Sequence, residues 1–369
     1  MKQVWEYKKF EACINKTPKP KQVKTEEYNS GTKYPIVSQE DKLISGYYDY
    51  ESYVFHIDSP VVIFGDHTRV LKYVDFDFVV GADGVKIISP KQELDAKFLL
   101  YYLQWYKIPN LGYSRHYKLL KELKIPLPPK STQLTIVSEL DKINELIRLK
   151  KEQLKDYDNL AQSIFYEMFG DPVVNDKGWE VKKLGEVCVK ITDGDHMPPP
   201  KSEAGIPFLT ISDINKETRE LDFSNTYFVP REYYNKLKEE RKAKPNDLLY
   251  TVTGSYGIPV IVKDERQFCF QRHIALIRPQ KEVLSTYYLC YWVLSAAVKS
   301  MADKVATGIA QKTVGLNSIR KFEIILPPLS LQHLFAQRIE QIEHQKLAVQ
   351  KSITDLETLL ASRMQYWFE

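Results

Sequence analysis

The sequence predicts an α+β protein in which two similar globular domains alternate with two long helices that form an antiparallel intramolecular coiled coil. Three observations support this pseudo-two-fold fold class. A heptad stripe occurs twice at a constant shift of 199 residues, each copy follows a Leu-Pro-Pro sequence, and each is preceded by short apolar runs and turn residues. We place the first domain at residues 1–129, the first helix at 130–170, the second domain at 171–328 and the second helix at 329–369.

Each long helix is predicted from apolar residues whose spacing alternates between four and three. A helix of about 38 residues would be roughly 57 Å long, which indicates a spacer rather than part of one domain core. Ser131 and Ser330 each follow a Pro-Pro pair and are the predicted N-caps. The seam residues that we expect to pack between the helices are Ile136, Leu140, Ile143, Leu154, Phe335, Ile339, Ile342, Ile353 and Leu356.

Three seam positions carry charge: Lys150, Lys346 and Arg363. Because none has a charged residue at the equivalent place in the other copy, and an unpaired seam charge is costly, we expect the two helices to pair within one chain. The alternative is that each helix lies on its own domain. The outer faces, which we expect to be left for partner proteins, carry Glu139, Arg148, Glu340 and Lys351.

Composition limits the class of protein without deciding its function. The 369 residues are 43% hydrophobic and 27% charged, as in a soluble two-domain chain. No apolar run approaches about 18 residues, and the N-terminus lacks the apolar core of a signal peptide, so we expect a cytoplasmic protein with no membrane partner. The four cysteines show neither metal-ligand nor disulfide spacing. A net charge of +4 permits a nucleic-acid partner without demanding one.

The globular domains repeat one order of motifs. Each begins with Trp-Glu-x-Lys-Lys, continues to a strand that ends in proline and then to a short aromatic helix. The matched pairs are 5–14 with 179–189, 85–90 with 274–279, 98–103 with 287–292, and 112–115 with 308–311. We therefore expect one scaffold used twice.

Short β-branched or apolar runs between Gly, Pro and Asp-Gly turns predict strands in both domains. The runs are 61–64, 76–80 and 85–88 in the first domain, and 188–192, 208–211, 248–252, 259–262 and 275–277 in the second. The material between them differs, as in 215–244 against 39–58. Equal scaffolds with unequal loops are typical of two modules that bind different targets.

Symmetry favours a DNA target. Two similar domains joined by antiparallel helices are related by an approximate two-fold axis, which matches the pseudo-two-fold symmetry of duplex DNA. The helices would then determine the distance between two half-sites. A twin-module coiled-coil adaptor that binds proteins is the alternative.

Several motifs occur in one order over nearly the whole chain. They are the Leu-Pro-Pro-x-x-x-Gln sequences at 127–133 and 326–332, the junction 168–172 followed by Gly178 and Trp179, and the segments 192–196 and 247–257. In this order they resemble the specificity subunit of type I restriction-modification systems. The first domain departs from the pattern, since Phe64-Gly-Asp-His-Thr-Arg69 replaces a Gly-x-Gly-type loop and an Asp-Gly-x-His element is missing between Lys16 and Lys24.

The resemblance implies two target recognition domains that each read one half of a bipartite, asymmetric double-stranded DNA site. The helix pair would set the unread spacer and form the platform for two adenine-N6 methyltransferase subunits, with restriction (translocase) subunits joining for cleavage. The chain itself would carry no catalytic residues and no cofactor.

Candidate DNA contacts follow from residue chemistry. Hydroxyl residues beside glycine suit phosphates, arginine suits guanine, and glutamine suits adenine. A solvated surface role is the alternative for each residue. The candidates are Lys19, Lys21, His67, Thr68, Arg69, His196, Lys201, Thr251, Thr253, Ser255, Tyr256, Gln271, Arg272 and His273.

Catalytic sites are not indicated. We find no glycine-rich cofactor loop before a long helix, no Asn/Asp-Pro-Pro-aromatic element, no phosphate loop and no Gly-x-Ser-x-Gly elbow. His196 lies beside Asp193 and Asp195 without a further His or Cys at ligand spacing, so we expect no metal site. We expect the chain to recognise DNA and to assemble with partner subunits that carry out the chemistry. The remaining alternative is a self-sufficient methyltransferase.

Overall fold

The computed structural model describes residues 5–112, 114–196, 199–308 and 311–369. Of the repeated motifs, residues 113, 309 and 310 lie outside this description. The chain divides into two compact units: the first comprises Met1–Glu152 with Gln350–Glu369, and the second comprises Gln153–Val349. Each unit contains one mixed α/β region and a part of each long helix.

The helices lie close to the predicted positions. The described helices are α1 Phe10–Cys13, α2 Ala96–Tyr106, α3 Tyr117–Lys121, α4 Lys130–Phe169, α5 Arg231–Lys236, α6 Thr286–Val293, α7 Ala296–Val305, α8 Leu316–Ile319 and α9 Leu329–Phe368.

The N-cap prediction was wrong by two residues. α4 and α9 begin at Lys130 and Leu329, so Ser131 and Ser330 are already helical. The carbonyls of Pro129 and Pro328 accept the first helical bonds, from the amides three and four residues on. The N-cap residue is the one whose carbonyl accepts the first helical hydrogen bond. A proline can occupy this position because no backbone N–H donor is needed there.

Strands of the first unit form three small sheets. They are β1 Tyr7–Lys9, β2 Tyr34–Val37, β3 Gly46–Tyr48, β4 Val54–Phe55, β5 Val61–Gly65, β6 Leu71–Val74, β7 Phe78–Val80, β8 Val85–Ile88 and β9 Lys124–Pro126. Their orders are β1-β9, β3-β2-β7-β4 and β6-β5-β8. β5 is buried throughout because Val62 and Phe64 face the cluster that includes α2, whereas Val61 and Ile63 face the second sheet.

The second unit has the same plan with additional strands. They are β10 Glu180–Lys183, β11 Cys188–Asp193, β12 Ile206–Leu209, β13 Ile214–Asn215, β14 Glu220–Leu221, β15 Tyr227–Val229, β16 Leu248–Thr251, β17 Pro259–Ile261, β18 Cys269–Phe270, β19 Ile274–Pro279 and β20 Glu323–Leu326. The sheets are β10-β20, β11-β19-β16-β17, β15-β12-β18 and β13-β14. The hairpin β13–β14 lies at the start of the 215–244 segment, which is longer than the 39–58 segment compared with it in the first domain.

Equivalent hydrogen bonds show the internal repeat residue by residue. β2 pairs with β7 in parallel, as β12 does with β18. The amide of Asp66 donates to Gly84 O, as that of Val252 donates to His273 O. The predicted α+β fold with two similar globular regions and two long helices is therefore confirmed.

The long helices pack together within each unit. In the first unit, Ile136 and Leu140 of α4 share a core with Met364 and Phe368 of α9. In the second, the ring of Phe335 lies 5.8 and 5.2 Å from those of Phe165 and Phe169, between centroids. Of the predicted seam residues, Leu154 and Leu356 are half-buried, and those that are buried are Ile136, Leu140, Ile143, Phe335, Ile339, Ile342 and Ile353.

Two of the three predicted seam charges are compensated from the opposite helix. Arg363 pairs with Glu139 in the first unit, and Lys346 Nζ lies 3.0 Å from Asp158 Oδ1 in the second. The expectation that Glu139 belongs to an outer, partner-facing surface was wrong, because its carboxylate is the counter-ion of Arg363.

Candidate nucleic-acid interface

Strand register brings three loops of the second unit to one edge. β11 and β16 both run antiparallel to β19, with Asp193 opposite Ala275 and Thr251 opposite Ile274. The segments after β11 (194–196), after β16 (252–257) and before β19 (271–273) therefore emerge together. We call these three segments the loop edge of the second unit.

Four predicted residues line one cavity at this edge. His196, Thr253, Arg272 and His273 surround a space of about 250 Å³, and Thr313 completes the wall. The Thr313 hydroxyl donates to Thr253 Oγ1 at 3.2 Å. A concave surface with imidazole, guanidinium and hydroxyl groups can donate hydrogen bonds to phosphate and base acceptors.

The carboxylate of Asp193 borders the same cavity, and that of Asp195 lies in the adjoining segment after β11. His196 Nε2 lies 2.9 Å from Asp193 Oδ2. Arg241, from the 215–244 segment, lies 3.7 Å from both Asp193 Oδ1 and Asp195 Oδ1. This pairing reduces the repulsion that two carboxylates would exert on an approaching phosphate.

The three side chains of the segment before β19 differ in exposure. Arg272 is exposed, and its Nε lies 3.5 Å from His273 Nε2. Burial and the neighbouring Arg272 lower the pKa of His273 below its ordinary value of 6.5, so the neutral imidazole is favoured. Gln271 is half-buried, and its backbone forms an isolated parallel β-bridge with that of Asp195. Arg272 is thus the most accessible base-reading candidate of the three.

Residues in and beside the 252–257 loop have two roles: some can contact a ligand, and others hold the loop in its conformation. Thr251 is fully buried; its hydroxyl donates to Ser255 O at 2.8 Å and accepts from Ile258 N at 3.0 Å. Tyr256 donates to Asp303 Oδ1 at 2.6 Å. Ser255 is exposed and accepts from Lys216 Nζ at 3.0 Å. Thr251 therefore shapes the loop, while Ser255 remains accessible to a ligand.

The remaining candidate of this unit, Lys201, lies beside the β15-β12-β18 sheet. The ammonium group of Lys201 is 4.9 Å from the ring centroid of Tyr227, and the side chain is exposed. A lysine held over an aromatic ring keeps its charge at the surface with restricted freedom. This arrangement suits a phosphate contact without base recognition.

An equivalent loop edge occurs in the first unit. Gly65, which ends β5, is opposite Val85, which begins β8. The segments 66–69 and 81–84 therefore emerge together, joined by the Asp66 N to Gly84 O bond of 2.7 Å. The segment 22–24 joins them, since Val23 N donates to Val80 O at 3.0 Å.

The predicted residues of this edge are restrained by neighbouring loops. Thr68 Oγ1 donates to Gln39 O at 2.7 Å, and His67 N donates to the Gln39 side chain at 3.4 Å. Arg69 has a φ of 62°, and its guanidinium donates to Ile108 O at 3.1 Å. A left-handed arginine held in this way supports the loop more than it offers a free reading group.

The repeat also locates the missing Asp-Gly-x-His element. Asp195 N donates to Phe270 O as Val23 N donates to Val80 O, so Lys24 takes the place of His196. Lys19, Lys21 and Lys24 are exposed. The ammonium group of Lys21 is 5.2 Å from the Tyr53 ring centroid. This part of the edge is thus cationic where the second unit carries paired carboxylates.

Sequence reasoning missed four residues that belong to these edges. Lys24, Lys216, Arg241 and Thr313 belong to segments that match no motif in the sequence. Lys24 is placed by the hydrogen bond from its backbone amide to the Glu27 carboxylate, whereas the side chains of Lys216, Arg241 and Thr313 are placed by their contacts with Ser255, Asp193 and Thr253. A partial signal existed for Arg241, because the 215–244 segment is longer than the 39–58 segment compared with it in the first domain.

Other kinds of site receive no support from the described parts of the chain. Within 5–112, 114–196, 199–308 and 311–369, no three His, Cys, Asp or Glu side chains are grouped to hold a metal ion. None of the described helices is long and apolar enough to cross a membrane. The four cysteines are free and buried, and burial raises the pKa of Cys188, Cys269 and Cys290 to about 12.

A family model for the type I restriction modification DNA specificity domain matches residues 4–156 and 176–358. The putative type I restriction enzyme MjaX specificity subunit of Methanocaldococcus jannaschii is 25% identical over 294 residues, covering 72% of this chain and 66% of that protein. The type I restriction enzyme EcoBI specificity subunit of Escherichia coli is 22% identical over 264 residues, covering 64% and 55%.

Two solved structures share the fold. The S subunit of a type I restriction-modification system from M. genitalium has a TM-score of 0.56 at 14% identity, covering 99% of this chain and 96% of that chain. A chain from work on complex assembly and conformational transition of the type I restriction-modification system has a TM-score of 0.57 at 19% identity, covering 99% and 97%. At these identities the likeness concerns the fold alone.

Proposed function

Because the chain belongs to the type I restriction modification DNA specificity domain family, with matches over 4–156 and 176–358, we propose that it is a sequence-specific DNA-binding specificity subunit. Each globular region would read one half of a bipartite, asymmetric site, and the long helices would set the spacer. The alignments span 66% and 55% of the two curated relatives, so DNA, partners and activity are parts of this proposal.

One observation carries the proposal: both units expose loops at the same edge of the same strand arrangement, with different side chains. Lys24 in the first unit replaces His196, and Gly81, whose amide donates to Val37 O, replaces Gln271, whose amide donates to Leu209 O. A conserved scaffold with exchanged edge residues is what two readers of different sequences require.

The proposed partners are double-stranded DNA, two adenine-N6 methyltransferase subunits and restriction (translocase) subunits, in the cytoplasm. The chain would contribute recognition and no chemistry. The outward-facing helix residues Arg148, Glu340 and Lys351 are exposed, which is consistent with the helices serving as a platform for those subunits.

A salt titration tests DNA binding by the full chain. Binding of a random duplex should weaken steeply with salt, because each neutralised phosphate releases a counter-ion. Absence of binding, or binding indifferent to salt, would exclude the DNA proposal and favour a protein adaptor. Adenine methylation by the purified chain alone would instead show a self-sufficient methyltransferase.

Methylome mapping in cells that express the chain with a methyltransferase partner would identify the bipartite site. Replacing residues 1–126 by another first domain should then change one half of the site and leave the other unchanged. A change in both halves, or in neither, would contradict the assignment of one half-site to each globular region.

A further inference from the structure

The hairpin β13–β14 of the second unit ends in a preorganised turn. Arg219 has a φ of 55°, and its amide donates to Asn215 O at 2.9 Å. The Asn215 side chain accepts from the amides of Glu217 and Thr218 at 2.9 and 3.0 Å. An Asx turn of this kind makes the backbone rigid and holds the left-handed arginine in place.

Arg219 connects this turn to α4 directly and to α9 through a shared carboxylate. Its Nη2 lies 2.6 Å from Asp158 Oδ1 of α4, and its side chain is 20% exposed. Lys346 of α9 reaches the same oxygen at 3.0 Å and also Glu343 Oε1 at 3.2 Å. One carboxylate, itself 37% exposed, therefore holds a cation from the hairpin and a cation from α9. The two cations are only 20% and 12% exposed, so this three-charge cluster is partly shielded from solvent screening.

The opposite side of the same turn contacts the loop edge. Lys216, three residues before Arg219, donates to Ser255 Oγ at 3.0 Å. Ser255 lies in the 252–257 loop, which Thr251 closes through the Ser255 carbonyl. The four-residue turn 216–219 thus has one basic side chain on the loop edge and another on α4.

We propose that Arg219 is a positioning residue that fixes the 252–257 loop of the second unit relative to α4 and α9. The inference rests on the proposed function, because its consequence concerns how the loop edge of the second unit is positioned on a DNA half-site. Without the Arg219–Asp158 pair the hairpin would keep its internal turn but lose its attachment to α4. The loop edge could then rotate relative to the helices, and the preference for one spacer length would weaken.

In the first unit, the segment between β2 and β3 corresponds to the segment between β12 and β15 that contains the hairpin, and it is held in another way. The buried Lys72 Nζ donates to Ser38 O at 2.9 Å and also to Lys42 O, both in the loop that follows β2. Attachment to α4 through an arginine turn is therefore assigned to the second unit, where the longer 215–244 segment supplies the turn.

DNA binding by the full chain gives the functional test. Affinity is measured on the mapped site with its native spacer and with spacers one base pair shorter and longer, for wild type, Arg219→Gln and Arg219→Lys. Lys263→Gln is the matched control, since Lys263 pairs with Glu220 of the same hairpin at 3.4 Å but does not contact α4 or α9 through that pair.

Arg219→Gln should reduce the ratio of native-spacer to altered-spacer affinity by about fivefold, whereas Arg219→Lys and Lys263→Gln should retain it. An unchanged ratio in Arg219→Gln, with only a lower thermal midpoint, would overturn the proposal in favour of simple stabilisation.

Hydrogen exchange gives a second measurement that does not depend on DNA. Amide exchange at residues 253–257 should accelerate in Arg219→Gln and stay at the wild-type rate in Lys263→Gln. Equal exchange in all variants would overturn the positioning role. Failure of the wild type to bind DNA would reject the proposed function, and the exchange result would still decide the role of Arg219.

Discussion

Glu139 of α4 and Arg363 of α9 form an ion pair within the helix interface of the first unit, and each side chain is 32% exposed. The Glu139 carboxylate also accepts from Trp367 Nε1 at 2.9 Å. The arginine that interrupts the apolar stripe of α9 is thus compensated by a residue outside the stripe of α4. This contact selects the partner helix and its register through charge.

Glu139→Gln should destabilise the first unit by about 1 kcal/mol, since a half-exposed pair is partly screened by solvent. Urea denaturation of the full chain, followed by a probe in this unit, measures the change. Glu145→Gln is the control, because Glu145 pairs with Arg148 on the exposed face of α4, and it should leave the midpoint unchanged. Equal effects of both substitutions would contradict an interface role for Glu139.

Acid should weaken the same contact. Hydrogen bonds from Arg363, and then from Trp367, hold the pKa of Glu139 below its ordinary value of 4.5 despite the opposing effect of burial. A carboxyl whose pKa is lower in the folded state contributes stability above its unfolded pKa and loses it as pH falls through the folded pKa. Stability should therefore fall less between about pH 5 and 3 in Glu139→Gln than in wild type. Parallel pH profiles would refute this linkage.

Gln133 and Gln332 make the same hydrogen bonds in the two units. Each is fully buried; each accepts from the amide at the N-cap of a short helix, Asp95 before α2 or Ser285 before α6, and each donates to two backbone carbonyls. Leucine at either position would fill the space but leave those groups unpaired.

We expect Gln133→Leu and Gln332→Leu each to cost about 2 kcal/mol or more, because several buried backbone groups lose their partners. Thermal unfolding measures the loss, and Gln341→Leu on the exposed face of α9 is the control. If either buried substitution were as mild as the control, the glutamine would not anchor the short helix.

Arg272→Ala should weaken DNA binding without lowering the thermal midpoint, since Arg272 is exposed at the loop edge of the second unit. If Arg272 reads guanine, discrimination at one base pair should fall by about 1–3 kcal/mol. If it binds phosphate, the slope of the logarithm of the binding constant against the logarithm of salt concentration should become shallower by about one. Competition with single-base variants distinguishes the two. Arg266→Ala is the control, because Arg266 lies in the loop at the opposite end of β17 and stacks on Phe223.

Much of the fold follows from periodic and repeated sequence. The strands predicted at 61–64, 85–88 and 248–252 occur as Val61–Gly65, Val85–Ile88 and Leu248–Thr251. The first residues of α4 and α9 were less predictable, because the prolines that precede them, Pro129 and Pro328, provide the first accepting carbonyls.

The candidate site was predicted only in outline. His196, Thr253, Arg272 and His273 do meet around one cavity. Thr251, in contrast, is buried by its own loop. A single sequence shows which chemical groups a loop contains but not which of them the backbone turns toward solvent.

Residue type and spacing by themselves determined the duplicated architecture, because a heptad stripe and a repeated strand order leave few ways to bury the apolar residues. The tertiary structure alone decided the long-range pairs Glu139–Arg363 and Asp158–Arg219 and the meeting of Lys216 with Ser255. Those contacts join segments far apart in the chain, and their geometry depends on strand register and on turns with positive φ, which carry no periodic signal.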